Sequence, residues 1–281
     1  MTQRETPQRQ TTQRETPQSK VLYLSHGSPD LTLSDHPARD FLQALGQRLP
    51  KPRGALVISA HFETAGLTLG VAPQPRTWHD FHGFPDALYA LQYPAPGLPA
   101  LARELANDLA ADGIDAHIDP DRPLDHGIWS PLSLLWPEAD VPLIPVSVPM
   151  QLDNASRLDI ADALGRWVDT HEMMLIGSGA ATHNLGDRHA RHDAPDAWAK
   201  AFHDWVIDVA AHGDRQTLAQ WEQTAPRARH THPTPEHFLP LMMSVGAMAG
   251  APLTTLHESF MYGNLSMLAL GSDALLASRA G

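Results

Sequence analysis

The stretch Val21-Leu22-Tyr23-Leu24-Ser25-His26-Gly27-Ser28-Pro29 decides the fold. An unbroken apolar run reads as a strand covered on both faces, since a half-exposed strand alternates apolar with polar. The run stops on Ser25-His26, and Gly27 lets a ligand or another chain segment approach the backbone closely. Ala55-Leu56-Val57-Ile58-Ser59-Ala60-His61 repeats the arrangement further along. With 21–25 and 55–60 as the first two strands, 66–72, 115–118, 142–148 and 173–177 are further candidates. Between them Leu98, Leu101, Leu105 and Leu109 recur at helical spacing, as do Ala155, Leu158, Ala161, Leu164 and Val168. Strands alternating with helices predict an α/β fold, a largely parallel central sheet covered by helices.

Thr254–Leu270 reads as strand, turn at Tyr262-Gly263-Asn264, strand, which predicts a C-terminal hairpin at one edge of the sheet. No linker divides the chain, so residues 21–281 are expected to form a single α/β domain. Ahead of it TQRETPQ occurs twice, at Thr2–Gln8 and Thr12–Gln18. Such a polar repeat buries too little to offset its ordering entropy, so residues 1–20 are expected to be a disordered tail. The proline-rich segment 73–99 is expected to be a long excursion over the sheet, of the kind that covers a site.

Composition narrows the chemistry. The 281 residues are 42% hydrophobic, enough for a sizeable core, and carry a formal net charge of -12. That balance argues against nucleic acid and against anionic lipid as partners. No apolar run reaches membrane-span length and no signal-like segment opens the chain, so a cytoplasmic protein is the expectation. There is no cysteine, which excludes disulfides, thiol nucleophiles and thiolate metal sites. Any metal must be held by nitrogen and oxygen, which suits iron, zinc or manganese. Histidine, at 17 copies, is the abundant candidate ligand.

In open α/β sheets ligands bind beyond the carboxyl ends of the strands. His26 and His61 stand there if the first two strands are neighbours. His183 follows the strand ending in Gly177-Ser178-Gly179, again at a carboxyl end. His237 lies in Thr234-Pro235-Glu236-His237-Phe238, where Thr234 is a plausible cap and Pro235 a first-turn residue, so a helix is expected to begin there. Asp125-His126-Gly127 comes just before an expected helix over Trp129–Trp136. Ser28 and Ser178 are not in a GxSxG elbow. Taken singly, each histidine reads as a structural residue; the repeated strand-end placement argues for a shared site. His189, His192, His203, His212, His230 and His257 read as surface or packing residues.

The motifs SHGSP (25–29), SAHFE (59–63), HDFHGFP (79–85), YPAPG (93–97), DHGIWSPL (125–132), HNL (183–185), PTPEHFLPL (233–241) and YGNLSM (262–267) occur in that order. Together they resemble the class III extradiol ring-cleavage dioxygenases, specifically the LigB-like branch that includes 4,5-DOPA extradiol dioxygenases, over about residues 21–270. The resemblance implies a LigB-like fold and a non-haem metal held by His26, His61 and His237, with His183 completing the site. The metal implied is Fe(II) for activity, with Zn(II) in some relatives. The partners implied are O2 and a small catechol, DOPA-like or protocatechuate-like, whose ring is opened. His126 is implied over the substrate or dioxygen. His183 is either a fourth ligand or the acid/base. Glu236 is an alternative ligand to His237; adjacent helical residues point about 100° apart, so one of the two binds, and the resemblance favours His237. His79, Asp125 and Glu236 are candidate substrate contacts.

The sequence departs from that pattern at His82, where a small glycine is expected, at Phe62, where tryptophan is frequent, and at the added His230 and His232. Two other readings use the same residues: a zinc-dependent hydrolase, and a non-catalytic interaction protein of the same fold. No sequence feature decides the oligomeric state.

Overall fold

Along Lys20–Ser25 (β1) the side chains alternate between two apolar layers. Val21 and Tyr23 join one buried cluster, Leu22 and Leu24 the other. Leu56 and Ile58 against Ala55 and Val57 divide in the same way on Ala55–Thr64 (β2). This is why both runs are continuously apolar: the pleat sends successive residues to opposite faces, and both faces are covered. The computed structural model describes residues 19–187 and 194–277. The expected tail lies outside them except for its last two residues. Those belong to the fold: Ser19 Oγ donates to the Gly165 carbonyl at 3.0 Å, and Lys20 opens β1.

The remaining strands of the main sheet are Leu67–Gly70 (β3), Ala116–Asp119 (β4), Leu143–Pro149 (β5), Met174–Gly179 (β6), Thr254–His257 (β7) and Ala269–Gly271 (β10). Phe260–Met261 (β8) and Leu265–Ser266 (β9) form a separate pair. The eight-stranded order is β4-β3-β5-β2-β6-β1-β10-β7. Its centre, β5-β2-β6-β1, is parallel, and β10 and β7 add antiparallel at one edge. Helices Pro99–Ala111, Asn154–Thr170, Ala197–His212 and Leu239–Gly246 cover one face, and Pro37–Arg48 and His126–Leu135 the other. The α/β reading with an edge hairpin holds, with the hairpin doubled. β7 and β10 are its sheet-bound outer arms, and β8–β9 is an inner pair carried toward the carboxyl ends of the parallel strands.

Three expectations change. β1 and β2 are not neighbours: β6 lies between them, pairing Leu24 with Ser178 on one side and Ser59 with Ser178 on the other. His61 does not end its strand, because β2 continues to Thr64; its register against β5 shifts between Ile58 and Glu63, and His61 falls in that irregularity. A bulge of this kind re-aims side chains at a sheet's end. The helix expected at Thr234 begins as a single turn, closed by Leu239 N–H on the Pro235 carbonyl at 3.2 Å, and regular helix starts at Leu239. Pro240 sits in that helix's first turn, where a missing N–H costs nothing, so either proline could open a helix and the second does.

The helix Asn154–Thr170 lies against Leu239–Gly246 through Gly165, where an added Cβ would stand 2.1 Å from the Ala247 carbonyl oxygen. That atom is backbone and cannot swing away. Gly165→Ala is therefore expected to cost about 1–3 kcal/mol, as overpacking does. A thermal melt at or above the wild-type midpoint would show that the two helices part without cost.

Candidate metal centre

At the carboxyl ends of β1, β2 and β6 three imidazoles converge. The ring centroids of His26 and His61 are 5.0 Å apart, those of His26 and His237 5.5 Å, and those of His61 and His237 4.9 Å. One nitrogen from each lies within 4.8 Å of those of the other two. They come from three separated parts of the chain, the residue after β1, the β2 irregularity and the turn before Leu239.

Proton inventory fixes which nitrogen each ring offers. Ser178 Oγ donates its one proton to the Gly127 carbonyl, so toward His26 Nδ1, at 3.0 Å, it accepts. His26 therefore carries its proton on Nδ1 and presents a bare Nε2. Glu236 Oε1 lies 2.8 Å from His237 Nδ1, and a carboxylate only accepts, so His237 likewise presents Nε2. Asp80 Oδ2, 3.6 Å from His61 Nδ1, favours the same tautomer there. His26 Nε2 and His61 Nε2 lie 3.2 Å apart, and with that His61 tautomer they face each other as lone pairs. A cation between them removes that conflict. Two nitrogens bound about 2.1 Å from one ion, at about 90–110°, stand about 3.0–3.4 Å apart, so the spacing fits a shared metal. Outer partners that lock each imidazole's free N–H are a recurrent feature of histidine–metal sites.

The electrostatics agree. Burial, and after it the neighbouring imidazoles, holds His26 and His237 well below the ordinary histidine value. Burial brings His61 down to about 3, with His126 adding to it and Asp80 opposing. Burial brings His183 down to about 4. These rings are neutral at neutral pH, the form in which imidazole binds a metal.

His126 and His183 flank the trio. His126 is the first residue of the helix His126–Leu135 rather than preceding it, and its ring centroid lies 3.9 Å from that of His61. Asp80 Oδ1 accepts both its backbone N–H and its Nδ1–H, each at 2.9 Å. Burial pushes the Asp80 carboxyl up, but the hydrogen bonds from His126 and the neighbouring imidazoles outweigh it and hold it below the usual range. His183 groups with Glu236 and His237 instead of with the trio, its ring stacked on His237 at 3.6 Å and 8°.

A cavity of about 620 Å³ opens over these groups. Phe81, Phe84, Leu185 and Leu265 give it apolar walls, while Ser28, His82 and Tyr262 add polar atoms. The excursion 73–99 supplies Asp80 through Phe84, and the β8–β9 pair supplies Tyr262 and Leu265. The other candidate contacts lie elsewhere. His79 binds the Leu91 carbonyl through Nε2 at 3.1 Å and packs beside Trp129. Glu236 is turned onto His237, outside the cavity lining. Asp125 is fully buried beneath the site.

Asp125 belongs to a ring of bonds that grips His61 from both sides. Its Oδ1 accepts Ser59 Oγ–H at 2.6 Å, and Ser59 Oγ accepts His61 N–H at 3.2 Å. Its Oδ2 pairs with Arg122, whose Nη2 also donates to the His61 carbonyl at 3.1 Å. Burial raises the Asp125 carboxyl against the opposing pull of Arg122 and Ser59. Gly127 is required beside this ring, since a Cβ there would stand 2.7 Å from Ser59 Oγ and 3.0 Å from His61 Cδ2. Sequence reading passed over Asp80, Ser59 and Arg122. Asp80 and Ser59 stand within the quoted motifs, and that was their only signal.

Comparison with known proteins places the chain in a family. Residues 20–270 match the family described as the catalytic LigB subunit of aromatic ring-opening dioxygenase. The chain is 36% identical over 252 residues to the 4,5-DOPA dioxygenase extradiol of Beta vulgaris, covering 88% of this chain and 94% of that one. It is 36% identical over 256 residues to the Escherichia coli K12 protein of the same name, covering 89% and 93%. The crystal structure of an uncharacterized protein from Escherichia coli K12 superposes with a TM-score of 0.74 at 31% identity, covering 90% of this chain and 99% of that one. With three imidazole nitrogens converging in such a fold, the chain belongs to the LigB family, the class III extradiol ring-cleavage dioxygenases.

Proposed function

We propose that this chain cleaves the ring of a small catechol with O2, extradiol, using ferrous iron held by His26, His61 and His237. The observation that carries the reading is the convergence of one nitrogen from each of the three rings within 4.8 Å, with Nε2 left bare on His26 and His237. Bound there, the iron would lower the catechol hydroxyl pKa from near 10 and bring catechol and O2 side by side. The protein supplies the rest. Phe81, Phe84, Leu185 and Leu265 receive the flat apolar ring and exclude water from it. His126, its proton tied to Asp80 through Nδ1, offers Nε2 as acceptor for a catechol proton and can return it to the opening product. His183, stacked on His237, serves the substrate rather than the metal.

Oxygen uptake and absorbance on adding a catechol panel, L-DOPA and protocatechuate included, to anaerobically iron-loaded protein test the reading. Oxygen consumption with a yellow ring-fission product is expected. Bound iron without uptake across the panel would turn the reading to a zinc-dependent hydrolase or to a substrate outside the panel. His183→Ala is expected to keep one metal per chain and to lower kcat about 10²-fold. Metal lost in step with activity would make His183 a fourth ligand.

A further inference from the structure

We propose that Asp80 is a positioning residue whose one carboxylate fixes the tautomer of both His126 and His61. It thereby sets the nitrogen that meets substrate and one that meets metal. The proposal rests on the ring-cleavage reading only in giving those two nitrogens their tasks. Asp80 Oδ1 takes two protons from His126, the backbone N–H and Nδ1–H, each at 2.9 Å. Its Oδ2 faces His61 Nδ1 at 3.6 Å, too long for a hydrogen bond but close enough for attraction. An imidazole has one proton to place; a carboxylate beside Nδ1 draws it there and leaves Nε2 bare.

The carboxylate is itself held firmly. Just ahead of it, Trp78 N–H donates to the Leu124 carbonyl at 2.8 Å and Leu124 N–H to the Arg76 carbonyl at 2.9 Å. Trp129 Nε1 donates to the Trp78 carbonyl at 2.9 Å. The segment carrying Asp80 is thus bonded to the helix that carries His126 and to the chain just before it. Immediately after Asp80 the same segment becomes cavity wall at Phe81 and His82. A plainer role is available, since a carboxylate at a helix's first turn is favourable whatever lies nearby. That role would need the backbone bond alone and would be indifferent to the two rings.

Asp80→Ala and Asp80→Asn separate the two roles. Both are read by zinc affinity in chelator competition with no catechol present, by ring 15N shifts of His126 in the zinc-loaded protein, and by kcat and KM. Asp80→Ala is expected to weaken zinc 10–100-fold, the usual loss for an outer partner of a ligand. It should also admit the Nε2–H tautomer of His126, and lower kcat more than it raises KM. Asp80→Asn keeps an acceptor for His126 but turns an amide toward His61, so it should weaken zinc while preserving the His126 15N pattern. Unchanged zinc affinity and an unchanged His126 tautomer in Asp80→Ala would overturn the proposal, even with lower activity. So would equal loss of melting temperature in both variants with zinc affinity intact. A wild-type protein inert toward every catechol would overturn the ring-cleavage reading and leave these two readouts to decide Asp80.

Discussion

His26→Ala is expected to abolish site-specific metal binding and to reduce ring cleavage to background, while the metal-free protein still folds. One of the three converging imidazoles proposed to hold the metal is removed, so the loss should exceed the about 100-fold that marks loss of an outer partner. The fold should tolerate it. In side-chain hydrogen bonding the metal-free chain loses His26 Nδ1–H to Ser178 Oγ, typically about 1 kcal/mol. It also loses the His26 nitrogen that faces His61 Nε2 at 3.2 Å. Melting with and without zinc reads both effects, because a ligand that binds only the folded state raises its stability by RT ln(1 + [L]/Kd). Wild type should gain with zinc and the variant should not. A variant that still takes up one zinc per chain with wild-type affinity would remove His26 from the ligand set.

Arg122→Met is expected to be the most destabilising single change near the site. Methionine keeps the apolar stem near Phe62, where the guanidinium carbon stands 3.9 Å from the ring centroid. It leaves the fully buried Asp125 carboxylate without its cation and the His61 carbonyl without its donor. Breaking one partner of a buried pair costs about 3–5 kcal/mol. The cost has a pH signature. Burial already raises Asp125 above its unfolded value near 3.9, and losing Arg122 raises it further. A carboxyl with a raised folded value is bound to its proton in both states at low pH. The penalty therefore builds as pH rises from about 4 through the folded value, so the variant should sit closest to wild type near pH 4–5 and furthest above it. Equal destabilisation at every pH would mean that lost packing, not an unpaired carboxylate, is responsible.

Much of this was legible in the chain. The apolar runs 21–25 and 55–60 read as doubly covered strands because the pleat is a local, two-residue rule. His26, His61, His183 and His237 stood out because each follows or precedes a strand or turn signal within a few residues. Where the reading slipped, a local signal was ambiguous or absent. Pro235 and Pro240 each suit a helix's first turn, and sequence cannot say which one opens the regular helix. The extension of β2 past His61 depends on β5, which pairs with it on both sides of the irregularity.

The sequence by itself determined the α/β class, the doubly covered strands and the histidines that follow their apolar runs, since apolar period and turn residues act over a handful of neighbours. Only the tertiary structure decided that β6 runs between β1 and β2, and with it everything that orients the rings. Two of the bonds that choose a tautomer join His26 to Ser178 and Asp80 to His126, across 152 and 46 positions of chain. No periodicity encodes such pairs. They exist because strand order brings those carboxyl ends to one rim, where a buried imidazole must place its single proton against whichever acceptor the fold has put there.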